Sequence, residues 1–376
     1  MRSLGMIGHS SLVTNRRKSA MFSHEFTEAD QAFLEREILP FLPDRIIDAH
    51  AHLFCHEHYP GGKPRPGLET TPPRLGLTEY AQFNEWLHPG GRVVGGLFFG
   101  LAFLGDRQAN NDFIGAEING ATPLARNSRG QLIISPDMDA ETVLDEVRRL
   151  GMTGLKCYHT MAPLNPRLGT DESGAGSYTA DDPTWTAPIE AYLPEDHVAA
   201  ANTLGLTITL HMVRDRALAD PVNQATIRRY CQSYPNMQLI LAHAARGFNP
   251  WHTIEGIESL RGLDNVWFDT SAVTEAGAFE AIVETMGHEK LMYGTDFHVS
   301  HVRGRCIAIG DSFHWLYADE MDLEENHTSL QPVLIGLESL RSIRLACQRL
   351  KLSERQVEDI FFGNAAELLD IQLGGG

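Results

Sequence analysis

The chain has few cysteines and lacks the motifs of disulfide frameworks, cysteine-based zinc sites and phosphate loops. Its 376 residues include five cysteines, an odd number, and none of them forms a CxxC pair. This pattern favours free cysteines in a reducing compartment over cysteines paired in a disulfide framework. No GxGxxG or GxxxxGK[ST] sequence follows a predicted strand, so a nucleotide-binding α/β protein has no phosphate loop to support it.

Basic residues and long apolar runs are also scarce. The sequence has 31 Lys and Arg against 49 Asp and Glu, a net charge of −18, which argues against nucleic acid and anionic membranes as partners. The longest apolar run, 95–105, is too short to span a bilayer, and the N-terminus lacks the apolar segment of a signal peptide. We therefore expect a cytoplasmic protein with a small-molecule substrate, and the acidic surface permits a homo-oligomer.

The most informative stretch is 45–53, a short apolar strand that runs into His50 and His52. Alternation along a strand places both imidazoles on one face, where they can share a cation. The spacing alone is weak evidence, because 17 histidines in 376 residues give about one such pair by chance, and His56 and His58 form another. The first pair stands out because it ends a buried-looking strand.

Helices and strands alternate through most of the chain, roughly at the spacing of βαβ units. Strands are predicted at 45–53, 93–99, 121–125, 154–158, 206–211, 238–243, 266–269 and 291–296. This order implies a parallel sheet, doubly wound or closed, and eight strands over about 250 residues fit a TIM (β/α)8 barrel. We expect a disordered lead-in over 1–25, with Met21 as a candidate natural start, and one domain over 26–376.

Long loops are expected after strands 1, 4 and 8 of this barrel. The last of them, which contains Trp315 and His327, would lie over the barrel mouth as a lid. Tryptophans in such loops could line an apolar pocket, and we expect this of Trp185, Trp251 and Trp315.

Side chains suited to metal binding recur where the predicted strands end: His50, His52, Lys156, His211, His243 and Asp296. All C-terminal strand ends of a barrel converge on one mouth. Imidazole nitrogens and a carboxylate suit a catalytic zinc that keeps one position open. A single histidine at a strand end is more often a satisfied polar residue, but the recurrence over successive strands favours a metal site.

The sequence resembles the amidohydrolase superfamily, specifically the branch of aminocarboxymuconate-semialdehyde decarboxylase-like metal-dependent hydrolases. The motifs that carry the resemblance are IIDAHAHL (46–53), TGLKCYH (153–159), TLHMVR (209–214), LILAHAAR (239–246), LMYGTDFH (291–298) and IFFGNAAELL (360–369). The resemblance implies one divalent metal, most commonly zinc with manganese or iron as alternatives, held by His50, His52, His211 and Asp296. It also implies that His243 lies beside the metal, where it polarises the substrate or aids proton transfer.

Lys156 leaves the number of ions open. In two-metal members of the superfamily a lysine on strand 4 is carboxylated and bridges both ions, and here Lys156 and His243 would then join the ligands. In one-metal relatives a lysine in a similar context bridges nothing. The flanking motifs resemble the one-metal branch, so we predict one ion, with Lys156 as an anchor for an anionic substrate or as a transition-state stabiliser.

The predicted function is a metal-dependent hydrolase that uses a metal-activated water to cleave an amide, lactone or ester bond of a small substrate, which could carry a carboxylate. Asp296 would act as general base and then general acid, and His243 would stabilise the oxyanion. A metal-dependent non-oxidative decarboxylase of an unsaturated or aromatic carboxylic acid is the main alternative. A catalytically inactive barrel is the second alternative, which the full ligand set disfavours.

Several further residues have weaker signals. Arg214 and Arg246 could bind a substrate carboxylate, although a surface arginine in a βα loop is an equally good reading of each. Asp269, at the end of strand 7, could support a ligand histidine. Five more histidines are not expected to be ligands: His56, His58, His159, His298 and His301.

Overall fold

Eight parallel strands, β1 to β8, form one sheet in which neighbours in the chain are neighbours in the sheet. The computed structural model describes residues 21–64, 67–101, 105–163, 183–320 and 331–372. The strands are β1 Ile46–His52, β2 Val93–Phe99, β3 Ser128–Ile133, β4 Gly154–Tyr158, β5 Thr207–His211, β6 Gln238–Leu241, β7 Val266–Asp269 and β8 Leu291–Met292. The predicted TIM (β/α)8 barrel is confirmed.

The barrel closes between β8 and β1 through backbone hydrogen bonds just beyond the two residues of β8. The amide of Ala49 donates to the carbonyl of Tyr293, and the amide of Asp296 donates to the carbonyl of His50, both at 2.8 Å. The amide of His52 donates to the carbonyl of Phe297, also at 2.8 Å. The C-terminal part of β1 is therefore held against the residues that follow β8.

Helices surround the sheet. The α-helices are Glu28–Phe33, Leu77–Asn84, Arg107–Ile118, Pro123–Arg126, Ala140–Leu150, Glu195–Leu204, Pro221–Ser233, Pro250–Gly256, Gly277–Met286, Ile335–Arg349, Glu354–Glu358 and Asn364–Leu368, and π-helical turns cover Leu34–Ile38 and Asp359–Gly363. Short 3-10 turns cover His56–His58, Pro60–Gly62, His159–Met161, Pro183–Thr186, Ile189–Ala191, Ala217–Ala219, Ile257–Leu260, His288–Lys290 and Val299–His301. None of the helices in the described residues combines the length and apolar character needed to cross a membrane.

The helix Ala140–Leu150 shows how local sequence sets these elements. The side chain of Asp139 accepts a hydrogen bond from the amide of Thr142 at 2.7 Å and so caps the first turn. Gly151 ends the helix in the left-handed conformation, with φ 65°, which glycine adopts without steric penalty. Asp139 and Gly151 therefore mark the two ends of this helix.

The strand predicted at 121–125 is wrong. These residues instead form a short helix, Pro123–Arg126, which Thr122 caps and in which proline occupies the first turn. The third strand, β3, follows at Ser128–Ile133. The sequence of β3 is SRGQLI, and its polar first half lacks the apolar pattern by which a buried strand is recognised. Its Gln131 is buried, and its Nε2 donates a hydrogen bond to the hydroxyl of Thr207 at 2.9 Å, which gives the amide nitrogen a partner in the barrel interior.

Two predicted strands extend beyond the real ones. β6 ends at Leu241, and the four residues from His243 to Arg246 have φ between 52° and 60°. β8 ends at Met292, and Asp296 has φ 55°. Residues other than glycine rarely adopt this left-handed conformation, and they cluster at functional sites when they do.

The loop after β8 contains an antiparallel hairpin, Gly304–Ile309 with Ser312–Tyr317, which we call the mouth hairpin. Trp315 lies in its second strand, whereas His327 lies outside the described residues. A second small sheet pairs Phe54–Cys55, after β1, with Arg74–Leu75. Most of the predicted insertion after β4 lies outside the described residues.

The packed part of the chain begins before the predicted domain boundary at residue 26. Phe22 is buried, and its ring contacts the ring of Phe83 edge-on at 4.9 Å and stacks on the ring of His301 at 5.8 Å. Residues 1–20 of the predicted lead-in lie outside the described residues.

We expect Phe22→Ala to lower the free energy of unfolding by about 3 kcal/mol, because it removes a buried aromatic ring. Met21→Ala is the matched control, because Met21 is 54% exposed, and its effect should stay within about 0.5 kcal/mol. Urea unfolding measures both. Equal effects of the two substitutions would show that Phe22 does not belong to the core.

Candidate metal centre

Two imidazoles and one carboxylate meet where β1 adjoins the chain beyond β8. The rings of His50 and His52 lie 5.3 Å apart, and both are buried. Asp296 Oδ1 lies 2.9 Å from His52 Nε2 and 3.5 Å from His50 Nε2. The left-handed backbone of Asp296 and the hydrogen bond from its amide to His50 place the carboxylate here.

Asp269, at the end of β7, supports two of the histidines. Its Oδ2 accepts a hydrogen bond from His50 Nδ1 at 2.8 Å, and its Oδ1 accepts one from the backbone amide of His243 at 2.9 Å. Burial opposes ionisation of Asp269, but the adjacent His50 holds the pKa of this carboxyl below its usual range. The structure therefore places Asp269 where the sequence suggested, behind a candidate ligand.

His243 lies between the other imidazoles. Its Nδ1 donates a hydrogen bond to the carbonyl of Ser271 at 3.0 Å, which fixes the tautomer and leaves Nε2 as the basic nitrogen. The His243 ring is 4.9 Å from the His50 ring and 5.0 Å from that of His211, which ends β5. The ligand-type atoms of His50, His243 and Asp296 all lie within 4.8 Å of one another.

The hydrogen bonds of His50 and His52 show that the group fits a cation. His52 Nδ1 contacts the carbonyl of Gly100 at 3.1 Å, and a carbonyl only accepts, so Nδ1 carries the proton of a neutral ring. Burial lowers the pKa of His50 to about 3 and lowers that of His52, so both rings are neutral. The Nε2 lone pairs of both rings then face one carboxylate oxygen, and His50 Nε2 has no hydrogen-bond partner among the described residues.

A positive ion between these acceptors would complement them. Ligand atoms about 2.0–2.2 Å from a shared zinc ion lie roughly 3–4 Å from each other. The separations of 2.9 Å and 3.5 Å between Asp296 Oδ1 and the two Nε2 atoms fall in or close to this range. The residues present therefore fit a divalent metal.

Lys156 lies on β4 and is fully buried. Its Nζ is 4.4 Å from the centre of the Phe99 ring and 5.0 Å from that of Tyr158, and it has no hydrogen-bond partner in the described part of the chain. Burial lowers the pKa of Lys156 to about 8, against the attraction of Asp269 and Asp296. The amine therefore faces two aromatic rings rather than a carboxylate.

The two arginines differ in their surroundings. Arg214 pairs with Asp220 at 2.8 Å and donates to the carbonyl of Thr186 at 2.9 Å, which gives it a structural task. Arg246 is buried, donates to the carbonyl of Arg214 at 2.8 Å, and lies over the ring of Trp185 at 4.8 Å. Of the two, Arg246 is the better candidate for a substrate contact.

The mouth hairpin forms an aromatic wall beside His243. The Phe248 ring lies 5.1 Å from the His243 ring. The Phe248 ring also lies 5.1 Å from the ring of Phe313 and 5.3 Å from that of Trp315, both in the mouth hairpin. Sequence reasoning missed Phe248, although its position five residues after His243 in the same loop was a usable signal. Trp251, expected at the mouth, is 58% exposed on the helix Pro250–Gly256.

Other histidines have structural partners. His56 Nε2 lies 3.0 Å from the Thr71 hydroxyl, His159 Nδ1 lies 2.9 Å from the Thr184 hydroxyl, and His301 Nε2 donates to the carbonyl of Phe83 at 2.9 Å. Cys55, Glu57 and His58 also bring ligand-type atoms together, but His58 Nδ1 already accepts hydrogen bonds from the Cys55 amide and from Asn110. The group around Asp296 is thus the stronger metal site in the described residues.

The chain belongs to the amidohydrolase family, whose model matches residues 47–371. A Pseudomonas putida protein provisionally assigned as a 2-pyrone-4,6-dicarboxylic acid hydrolase is 18% identical with a TM-score of 0.54, over 89% of this chain and 100% of that one. A Polaromonas dihydroxybenzoic acid decarboxylase with bound manganese and 2-nitroresorcinol is 13% identical with a TM-score of 0.51, over 88% and 98%. An amidohydrolase from Burkholderia multivorans with bound HEPES is 14% identical with a TM-score of 0.52, over 87% and 100%.

These three structural likenesses show the shared barrel fold. No curated protein sequence matches the chain.

Asp269→Asn should weaken binding of a divalent metal about 10- to 100-fold, because it removes the carboxylate that orients His50 and the His243 backbone. Competition with a chromophoric chelator measures the metal Kd. Asp137→Asn is the control, because the Asp137 side chain is 76% exposed. An unchanged Kd in Asp269→Asn would refute this supporting role.

Proposed function

We propose that this member of the amidohydrolase family is a metal-dependent hydrolase that cleaves an amide, lactone or ester bond of a small, carboxylate-bearing substrate. The observation that carries the proposal is the pair of neutral imidazole lone pairs that face Asp296 Oδ1 at 2.9 Å and 3.5 Å. One divalent metal would be held by His50, His52, His211 and Asp296. This donor set favours zinc and is compatible with manganese or iron.

When bound, such an ion would polarise the scissile carbonyl and lower the pKa of a water molecule. Asp296 is the proposed general base. Burial opposes its ionisation, but the nearby His243 holds its pKa well below the usual range, so it is ionised at neutral pH. Its Oδ2 faces His243 and would take the proton of the attacking water and pass it to the leaving group.

His243 is the proposed partner of the substrate carbonyl. Ser271 holds its Nδ1, so Nε2 is the atom that can contact the substrate oxygen or move a proton. Phe248 packs against the same ring, at 5.1 Å between the ring centres.

Lys156 is the proposed anchor for the substrate carboxylate. Its amine is buried, with aromatic neighbours and no carboxylate in hydrogen-bond contact among the described residues, so an anionic group would complement it. Arg246, which lies among aromatic rings, is a second candidate contact for the anion.

The aromatic surroundings of Lys156 also support decarboxylation as a second candidate reaction. A substrate carboxylate drawn to Lys156 would lie beside Phe99 and Tyr158, and aromatic surroundings disfavour a carboxylate relative to CO₂. Asp296, once protonated, could deliver the proton to carbon as CO₂ leaves. An inactive barrel is disfavoured, because the ionisable groups of the site are all present.

We expect the purified protein to carry one divalent ion per chain, and Lys156→Ala to retain it, because Lys156 is not proposed as a ligand. Elemental analysis after removal of excess metal measures the ratio. Lys156→Met is the control that keeps the side-chain volume. A ratio near two that falls in both variants would show a second ion bridged by Lys156.

The reaction can be tested with lactones, N-acyl amino acids and aromatic carboxylic acids. We expect acid release from one of the first two classes, lost on metal removal and reduced at least about 100-fold in Asp296→Asn, which lacks the general base. A pH-stat and a CO₂ assay distinguish the two reactions. CO₂ release without hydrolysis would assign the chain as a decarboxylase, and no bound metal under any growth condition would refute both.

A further inference from the structure

Asp48 is a fully buried carboxylate, two residues before His50 on β1. Its Oδ1 accepts hydrogen bonds from the backbone amides of His50 at 3.0 Å and Thr295 at 2.9 Å. Its Oδ2 accepts hydrogen bonds from the hydroxyls of Tyr80 at 2.7 Å and Thr295 at 2.5 Å. One carboxylate therefore receives four donors.

These donors come from three separate parts of the fold. His50 belongs to β1, Thr295 lies in the segment beyond β8, and Tyr80 belongs to the helix Leu77–Asn84. Thr295 directly precedes Asp296, so Asp48 joins the backbone of one candidate ligand to the neighbour of another. This junction is where the barrel closes, and β8 itself has ended three residues before Thr295.

We propose that Asp48 is a positioning residue that sets the separation of His50 and Asp296 and thereby the metal affinity of the site. Tyr80 and Thr295 hold Asp48 in turn, and hydrogen bonds to an ionised carboxylate are stronger than those between neutral groups. The proposal rests on the proposed metal centre and is independent of the reaction that the centre performs.

Asp48 could contribute to folding alone, as any buried and hydrogen-bonded carboxylate can. The test therefore needs a control variant at a second buried carboxylate. Asp30 is equally buried, pairs with Arg303 at 2.6 Å, and accepts hydrogen bonds from Thr27 and from the amide of Leu334. None of these partners is a candidate ligand. Asp30→Asn therefore reports what the loss of a buried carboxylate does to folding alone.

The experiment compares Asp48→Asn, Tyr80→Phe, Thr295→Val and Asp30→Asn. Chelator competition gives the zinc Kd, and urea unfolding of the metal-free protein gives the stability. We expect Asp48→Asn to weaken zinc binding about 10- to 100-fold, and the two hydroxyl deletions to weaken it less but in the same direction. Asp30→Asn should leave the zinc Kd within about two-fold of wild type, although it lowers stability.

Equal zinc Kd values in Asp48→Asn and wild type would overturn the proposal. Where Asp48→Asn does not fold, Tyr80→Phe and Thr295→Val decide in the same way. Crystal structures of the metal-free proteins supply a readout that needs no metal: the His50 Nε2 to Asp296 Oδ1 separation, 3.5 Å here, should change in Asp48→Asn or Thr295→Val. An unchanged separation would refute the positioning role, whereas a wild-type protein without zinc affinity would refute the proposed metal centre and leave this separation as the test of positioning.

Discussion

The closure of the barrel between β8 and β1 is the constraint on which the site depends. β8 is two residues long, yet the chain beyond it continues alongside β1, where the amides of Ala49, His52 and Asp296 take part in the closing hydrogen bonds. One of these bonds joins Asp296 directly to His50. The hydrogen bonds that close the barrel also bring the candidate ligands together. A change that opens this junction would therefore move His50 and Asp296 apart.

Burial then determines the charge state of the assembled groups. It keeps the rings of His50 and His52 neutral, whereas the pKa values of the Asp269 and Asp296 carboxyls lie below their usual range despite burial. Two buried carboxylates beside one buried amine, that of Lys156, leave an excess of negative charge that favours a cation. The electrostatics therefore favour a cation in the place where the geometry leaves room for one.

The sequence predicted the parts of this arrangement that depend on local pattern. The apolar strands β1, β4, β5 and β7 were recognisable, and the polar residues in them or at their ends led to His50, Lys156, His211 and Asp269. β3 was missed because half of its sequence is polar, and its buried Gln131 donates a hydrogen bond to Thr207 on another strand. Hydrophobic periodicity carries no information about such long-range pairs.

The local conformation of the remaining site residues was also beyond the sequence. The His243 segment and Asp296 were predicted as strand ends, but both have left-handed backbone after the strand has finished. Asp48 was recognisable as part of the first motif, but its partners Tyr80 and Thr295 are 32 and 247 residues away along the chain. A role that depends on such distant partners becomes visible only in the folded structure.

The central claim is that one divalent ion lies between β1 and Asp296. Anomalous X-ray diffraction from crystals of the zinc-loaded protein tests it most directly. The account predicts one peak about 2.0–2.2 Å from His50 Nε2, His52 Nε2 and an oxygen of Asp296. Absence of a peak there, or a peak only at the Cys55 and His58 group, would contradict it.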